Sequence, residues 1–364
     1  MGRTTMRFAF SEEQEMLHDM IHAALQREAG LDKVRCWVEG ENLLPFDEFV
    51  ARNAWAGIGV GEEVGGQGGG LIEQTLMFEV LGRSVAPSGS LLAGAGVLGF
   101  ASRIPDGVEQ LYGLLEGKAT VALCVNAGRP ADQGASQVQV SGECLSGIVP
   151  MVLEAPGASQ LLVPIPADDG LELWLLPADA PGVEIRSRRL IDRTRRFGDV
   201  HLQDVQARHL GRLPRDAARE VNAVMALLIA AESLGAARRM LDMTVEYVGQ
   251  RVQFGVVVGS FQAVKHAAAE ILVELEAAHS GIYYAAWALQ EGQEDGMQQA
   301  WIAKAFATDA AVRTADRALM LHGAIGYTWE HDLQLFYKRV KLNQELLGSA
   351  RTYWERLADA LQLH

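Results

Sequence analysis

The sequence is poor in cysteine, in basic charge and in long apolar runs. Its three cysteines, Cys36, Cys124 and Cys144, show neither C-x-x-C spacing nor histidines at metal-ligand spacing. That pattern excludes a zinc site and a disulfide framework, and it fits a reducing cytoplasm. Lys and Arg number 32 against 46 Asp and Glu, leaving a net charge of −14. Phosphate contacts need clustered cations, so nucleic acid is excluded as a partner. The one dense basic run, "RSRRLIDRTRR" at 186–196, reads as a solvated strand pair with its turn. No run approaches the roughly 18 apolar residues that cross a bilayer. The opening "MGRTTMRFAFSEEQEML" also lacks an apolar segment of signal-peptide length, so no membrane is expected and the location is expected to be cytoplasmic. Gly2 is a weak myristoylation cue and is discounted.

What is present is a chain of 364 residues with 49% apolar content, enough for two or three domains with real cores. Phe10, Leu17, Ile21 and Leu25 recur at helical spacing, and Ser11 with Gln14 forms a capping-box signature at the start of that helix. Further helical patterns lie at 45–56, 71–85, 90–103 and 107–116. The glycine-rich "GEEVGGQGGG" at 61–70 follows no strand and lacks the Lys-Ser/Thr ending of a phosphate loop, so it reads as a tight helix connection. Near residue 119 the period shortens, and runs such as "ATVALCV", "SQVQVSG", "LELWLLP" and "FGDVHLQDV" alternate with turn residues. After "LGRLPRD", four long alanine-rich amphipathic segments follow at 216–250, 260–291, 296–322 and 332–362. The expected fold is mainly α with a central β domain: an N-terminal helical domain over 1–118, a small antiparallel β-barrel over 119–210 and a C-terminal four-helix bundle over 211–364. The apolar stripes exceed what one bundle core needs, which points to an oligomer.

This domain order, with "FSEEQEML", "GEEVGGQGGGLIEQTLMFEVLGRS", "RVQFGVVVGSFQ" and "LHGAIGYTWEHDLQLFYKR", resembles the acyl-CoA dehydrogenase family of flavoproteins across nearly the whole chain. The resemblance implies FAD as cofactor, an acyl-CoA substrate and an electron-transferring flavoprotein as acceptor. It also implies that the helix junction at 251–262 reaches across a subunit interface to FAD bound mainly by the neighbour. Arg251 would then neutralise the pyrophosphate, Gln253, Phe254 and Gly255 would line the cofactor, and Gln262 would add an uncharged contact. A guanidinium fork suits phosphate better than a lysine point charge. The segment "HGAIGY" would form the adenosine side of the same wall through Gly323, Ala324 and Gly326. Here Met320 stands where the family commonly has glutamine, and Ala324 where it has a second glycine. His322 is expected to be a buried or interfacial histidine rather than an acid, a base or a metal ligand.

The resemblance breaks at the catalytic base. The family removes an α-proton with a carboxylate, and alignment on Gly348 and Ser349 puts Leu347 at that position; the alternative site on the first bundle helix falls near Met225 and Ala226. None can take a proton. Glu345 lies two residues away, about 200° round a helix, and Glu232 roughly two turns along its own, so both are weak candidates. Flavin-ring contacts are also lost in "CVNAGRPADQG" and "GIVPMVLEAPG", where Met151 and Leu153 replace tryptophan and a hydroxyl residue. Intact cross-subunit contacts beside a lost base imply the base-lacking member of an α2β2 heterotetramer with a glutamate-bearing paralogue, similar to bacterial enzymes acting on steroid side-chain thioesters. The alternatives are a self-sufficient homo-oligomer with a relocated base, a non-catalytic structural subunit, and a flavin-dependent oxygenase on the same scaffold.

Overall fold

A computed structural model describes residues 9–362, so Gly2 lies outside the described residues. Helix α1 (Glu12–Glu28) begins at a reciprocal capping box: the Gln14 N–H donates to the Ser11 hydroxyl and the Ser11 N–H to the Gln14 side chain. Its Ile21 and Leu25 face the core. There follow α2 (Leu31–Glu39), not anticipated from the sequence, α3 (Leu44–Arg52), α4 (Leu71–Arg83) and α5 (Gly89–Ala101). The pattern over 107–116 yields only a 3-10 turn and the short α6 (Tyr112–Leu115). The glycine-rich connection folds on itself: Gly59 N–H bonds Gly68 C=O at 2.8 Å, Gly68 N–H bonds Val60 C=O at 2.9 Å, and a Cβ on Gly66 would lie 2.1 Å from the Val60 oxygen.

The strands are β1 (Val121–Leu123), β2 (Val138–Ser141), β3 (Cys144–Leu153), β4 (Gln160–Ala167), β5 (Gly170–Pro177), β6 (Val183–Arg188), β7 (Phe197–Gln206) and β8 (Arg208–Pro214). They do not close into the expected barrel. Two separate four-stranded sheets, ordered β1-β4-β5-β8 and β2-β3-β7-β6, enclose a second apolar core that includes Leu145, Leu161, Val163 and Val200. The physical reason is pairing: β1 is three residues long and pairs parallel with β4 alone, while β2 pairs with β3 alone, so no strand links the two sheet edges. Strand β8 carries the sheet past residue 210, to Pro214.

The remaining chain forms α7 (Arg215–Gln250), a two-stranded hairpin of β9 (Val252–Gln253) and β10 (Val256–Val257), α8 (Gln262–Gln290), α9 (Gly296–His322), α10 (Leu333–Glu345) and α11 (Ala350–Ala360). The fourth bundle helix is thus broken. Leu347 at φ +58° and Gly348 at φ +105° leave the right-handed helical region and turn the chain. Helix α7, contrary to the expectation that no segment approaches membrane-spanning character, has an 18-residue window of mean hydropathy 1.4; 89% of that window is buried in the protein. It serves as the central core helix. Its backbone meets α4 at two glycines, since a Cβ on Gly82 would lie 1.9 Å from the Glu232 oxygen and one on Gly235 1.8 Å from the Glu79 oxygen.

The basic run 186–196 is only half solvated. Arg186, Arg188 and Arg189 are exposed, each paired with a carboxylate of Glu184, Asp199 or Glu41. Asp192, Thr194 and Arg195 instead turn inward and meet α7 and α10. There Glu232 pairs with Arg195 and, at 2.6 Å, with Arg339. Arg339 Nε also donates to Asp192 at 3.0 Å and Nη2 to the Ala86 carbonyl at 2.9 Å. Asn343 donates to Glu232 at 2.8 Å and accepts from Arg195 at 2.8 Å, and the Ser88 hydroxyl donates to Glu232. Two guanidiniums and two carboxylates are therefore buried together, and the charges cancel. Burial alone would raise the Glu232 pKa, but Arg195 and Arg339 override it and hold the group at about 2.

Glu232→Gln leaves two buried guanidiniums with one remaining carboxylate, that of Asp192, and unfolding in urea is expected to show a loss of about 3–5 kcal/mol. Because the folded pKa is depressed, the stability that Glu232 supplies is complete above the ordinary carboxylate value of 4.5 and is lost as pH falls toward 2. The same urea titrations repeated across that window in wild type and variant should converge at the acid end.

Candidate functional site

Two surfaces concern the expected chemistry, and they lie at opposite ends of α10. The first is built where α7 stops. The Arg251 N–H closes the helix on the Tyr247 carbonyl at 2.9 Å, and the Arg251 carbonyl accepts from Val258 N–H at 2.8 Å, which seats the hairpin against the helix end. At its tip Phe254 (φ +54°) and Gly255 (φ +80°) are both left-handed, the backbone a two-residue hairpin turn requires. Phe254 is 91% exposed. Holding a phenylalanine in this conformation costs about 1 kcal/mol, set against the backbone pairing of the hairpin it closes. Arg251 is exposed and its guanidinium engages no carboxylate among the described residues, while the Gln253 amide reaches only the Val252 carbonyl. Gln262 opens α8, also exposed.

The second piece of this wall is the 3-10 turn Gly323–Tyr327 after α9. The end of α7, the start of α8, the end of α9 and the start of α10 share one end of the bundle, which brings Arg251, Gln253, Phe254, Gly255 and Gln262 to the same side as Gly323, Ala324 and Gly326. The Tyr247 and His322 rings, stacked at 4.7 Å, join the two pieces. Gly255 and Gly323 face open space, with nothing within 4 Å of an added Cβ, whereas a Cβ on Gly326 would lie 2.9 Å from the His322 Cβ. His322 itself is buried.

Ser349, which the family resemblance also implies as a cofactor contact, lies apart from this wall. It caps α11 at the far end of α10, roughly 20 Å along the helix axis. That end holds the second surface, a seam between the helix break, the start of α7 and the loop after β1. Leu347, at the position aligned with the family's base, is buried, and its N–H donates to the Ala127 carbonyl at 2.6 Å. Its own carbonyl accepts from the Tyr353 hydroxyl at 2.9 Å. The same loop is tied down elsewhere: the Ala127 N–H donates to the Met151 carbonyl at 3.0 Å, and the Ala131 N–H to Asn222 of α7 at 2.8 Å. Met225 and Leu123 are packed together against Gly96 of α5, where a Cβ would meet the Met225 sulfur at 2.6 Å and Leu123 at 3.0 Å. Lys304, fully buried on α9, donates to the Asn343 and Gln344 carbonyls at 2.6 and 3.3 Å and so fastens the end of α10 from beneath. Burial lowers its pKa to about 7, against the pull of Glu345 and Asp309.

Of the two glutamates weighed from the sequence, Glu345 is exposed at the end of α10 and Glu232 is committed to two guanidiniums. A carboxylate held at about 2 accepts no proton near neutrality. The residues that close the seam, Ala127, Asn222, Tyr353 and Lys304, were not foreseen; no periodicity marks them, and only the apolar Met225 and Leu347 signalled the change.

With fold, wall and seam in place, comparison with known proteins defines the class. Residues 11–104 match the acyl-CoA dehydrogenase N-terminal domain and residues 216–362 the acyl-CoA dehydrogenase C-terminal domain. The chain belongs to the acyl-CoA dehydrogenase family, FAD-containing oxidoreductases that act on CH–CH bonds. It is 30% identical over 361 residues to the acyl-CoA dehydrogenase IpdE2 of Mycolicibacterium smegmatis, an alignment covering 95% of this chain and 98% of that protein. Among solved structures it is similar to a variant of the steroid acyl-CoA dehydrogenase Tcur3481-Tcur3483, at 28% identity and a TM-score of 0.86 over 96% of this chain and 98% of that one. It shares the fold of the ChsE4-ChsE5 complex from Mycobacterium tuberculosis, with a TM-score of 0.85 at 23% identity over 99% of this chain and 100% of that one.

Leu347→Glu places a carboxylate in an apolar seam whose nearby cation, Lys304, is already held by the Asn343 and Gln344 carbonyls. The variant is expected to lose about 2–4 kcal/mol of stability and to gain no acyl-CoA oxidation when assayed alone with an artificial acceptor. Turnover by this single variant at unchanged melting temperature would mean that the seam is open.

Proposed function

We propose that this chain is the base-lacking subunit of a heteromeric acyl-CoA dehydrogenase that desaturates an acyl-CoA at its α,β bond. The observation that carries the reading is the Leu347 N–H to Ala127 carbonyl bond at 2.6 Å. It joins directly the two segments between which a flavin ring and an acyl thioester would have to lie, and Met225 fills the adjoining space. The residues around this chain's own seam therefore do not fit FAD. The outward wall does fit: Arg251 offers an unpaired guanidinium fork for a pyrophosphate, Phe254 an exposed ring, and Gln253 and Gln262 exposed amides. When bound, FAD accepts the β-hydride of the substrate. This chain's part is to neutralise the phosphates and shield one side of the cofactor from water, while a glutamate-bearing paralogue supplies the base and the ring pocket.

Exposed Val252, Phe254, Ile325, Tyr327 and Trp329 at the wall form an apolar surface that a subunit partner would cover. The similarity to a two-component steroid acyl-CoA dehydrogenase supports an α2β2 assembly and a steroid-type side-chain thioester as substrate class. An electron-transferring flavoprotein is the acceptor, and the cytoplasm the location, that go with this reading.

Purified alone, the chain is expected to carry little flavin; co-expressed with its paralogue, the complex should hold about one FAD per pair of unlike subunits, read from visible absorbance against protein. Arg251→Ala in the complex is expected to weaken FAD retention roughly 10- to 100-fold, from the loss of a charge-assisted contact worth about 1.5–3 kcal/mol. Full flavin content and full activity of the chain alone would overturn the proposal.

A further inference from the structure

Tyr247, His322 and His331 make a ring stack that the reaction does not use. His322 is 3% exposed at the last turn of α9, with the Tyr247 ring stacked on one side at 4.7 Å and the His331 ring edge-on, also at 4.7 Å. Its protonation pattern is fixed by its partners. Nδ1 lies 2.8 Å from the Ala318 carbonyl, which can only accept, so Nδ1 carries the hydrogen. Nε2 is then a bare lone pair, buried and without a partner. His331 has the opposite tautomer, because its Nδ1 accepts from the Leu333 N–H at 3.2 Å.

The stack joins the two halves of the wall. The carbonyl of Tyr247 receives the Arg251 N–H at 2.9 Å, so the ring and the start of the hairpin belong to one residue pair. His322 immediately precedes Gly323, which leaves the helix at φ +66°, and its Cβ supports Gly326. On the other side, Arg35 of α2 donates to the Trp329 and Glu330 carbonyls and pairs with Asp332, holding the loop that carries His331.

We propose that Tyr247, His322 and His331 are positioning residues for the dinucleotide on this wall, and that they hold it only while His322 is neutral. The inference rests on the cofactor-wall reading of Arg251. A proton added at Nε2 would be a buried donor with no acceptor, placed beside a second imidazole that can also charge. The ring must then leave its slot, and Arg251 and Gly323 lose their common support. The groups that bear on His322 are Tyr247 from α7, the Ala318 carbonyl from α9, and His331 from the following loop, itself flanked by Asp332 and by Arg35 of α2. Burial, reinforced by His331, moves the His322 pKa below the ordinary 6.5, with the Ala318 bond opposing. A histidine with a depressed folded pKa contributes fully above the ordinary value, and that contribution is lost as pH falls below it.

The test is FAD retention by the co-expressed complex after desalting, from about pH 7.5 to about pH 5. Wild type is expected to lose flavin on acidification, with the apparent dissociation constant rising up to about tenfold per pH unit, and to recover it at neutral pH with added FAD. His322→Asn, whose amide can still donate to the Ala318 carbonyl, should show a flat profile from neutral to acid pH, whatever its flavin content at neutral pH. His331→Asn should keep the step and move it to higher pH. A flat wild-type profile, irreversible loss with loss of helical circular dichroism, or a wild-type step in His322→Asn overturns the inference. If His322→Asn fails to assemble, His331→Asn decides alone, an unmoved midpoint being the overturning result. Arg251→Ala at neutral pH separates the two levels. Unchanged flavin there defeats the wall itself, whereas lost flavin with no pH step defeats only the role of the stack.

Discussion

The structure depends on a neutral set of four buried charges. Glu232 sits on the central helix α7, Arg339 on α10, and Asp192 and Arg195 on the loop between β6 and β7, with Ser88 at the start of α5 completing the bonds. The β6–β7 loop and the C-terminal helices each supply two of the charges, so neither can be displaced without leaving a charge unpaired in an apolar interior, and the N-terminal helices add neutral partners at Ser88 and Ala86. That geometry fixes α10 against α7, and with it the helix break at 346–349 that follows. Lys304 and Tyr353 then hold the break from both sides.

A rigid frame allows the two ends of α10 to differ in character. At one end the chain turns apolar side chains and backbone bonds inward, with Leu347 and Met225 buried and Leu347 bonded to the loop after β1. At the other it directs Arg251, Phe254 and their neighbours outward, leaving apolar surface exposed and two turn residues in left-handed backbone. The proposed division between unlike subunits is consistent with one closed end and one outward-facing end.

Much of the architecture was legible because it is local. The capping box at Ser11 and Gln14, the alanine-rich periods of α7, α8 and α9, and the helix junction at the end of α7 depend on residues within a few positions of one another. The strands were legible as strands, but barrel closure was not, because edge pairing depends on strand length and partner choice that alternation does not encode. The basic run at 186–196 misled for a related reason. Composition makes it a solvated surface, yet Arg195 and Asp192 are buried against carboxylate and guanidinium partners from distant elements.

The sequence by itself determined where the first helix and the long helices α7, α8 and α9 lie, where the bundle junction carries an arginine and a phenylalanine, and that the aligned base positions hold Leu347 and Met225 rather than acids. Only the tertiary structure decided what Glu232 does and whether the seam is open. Those answers rest on contacts such as Arg195 with Glu232, 37 positions apart, and Arg339 with Ala86, 253 apart. A carboxylate's chemistry is set by the charges and solvent around it, and at such separations those are properties of the fold rather than of neighbouring residues.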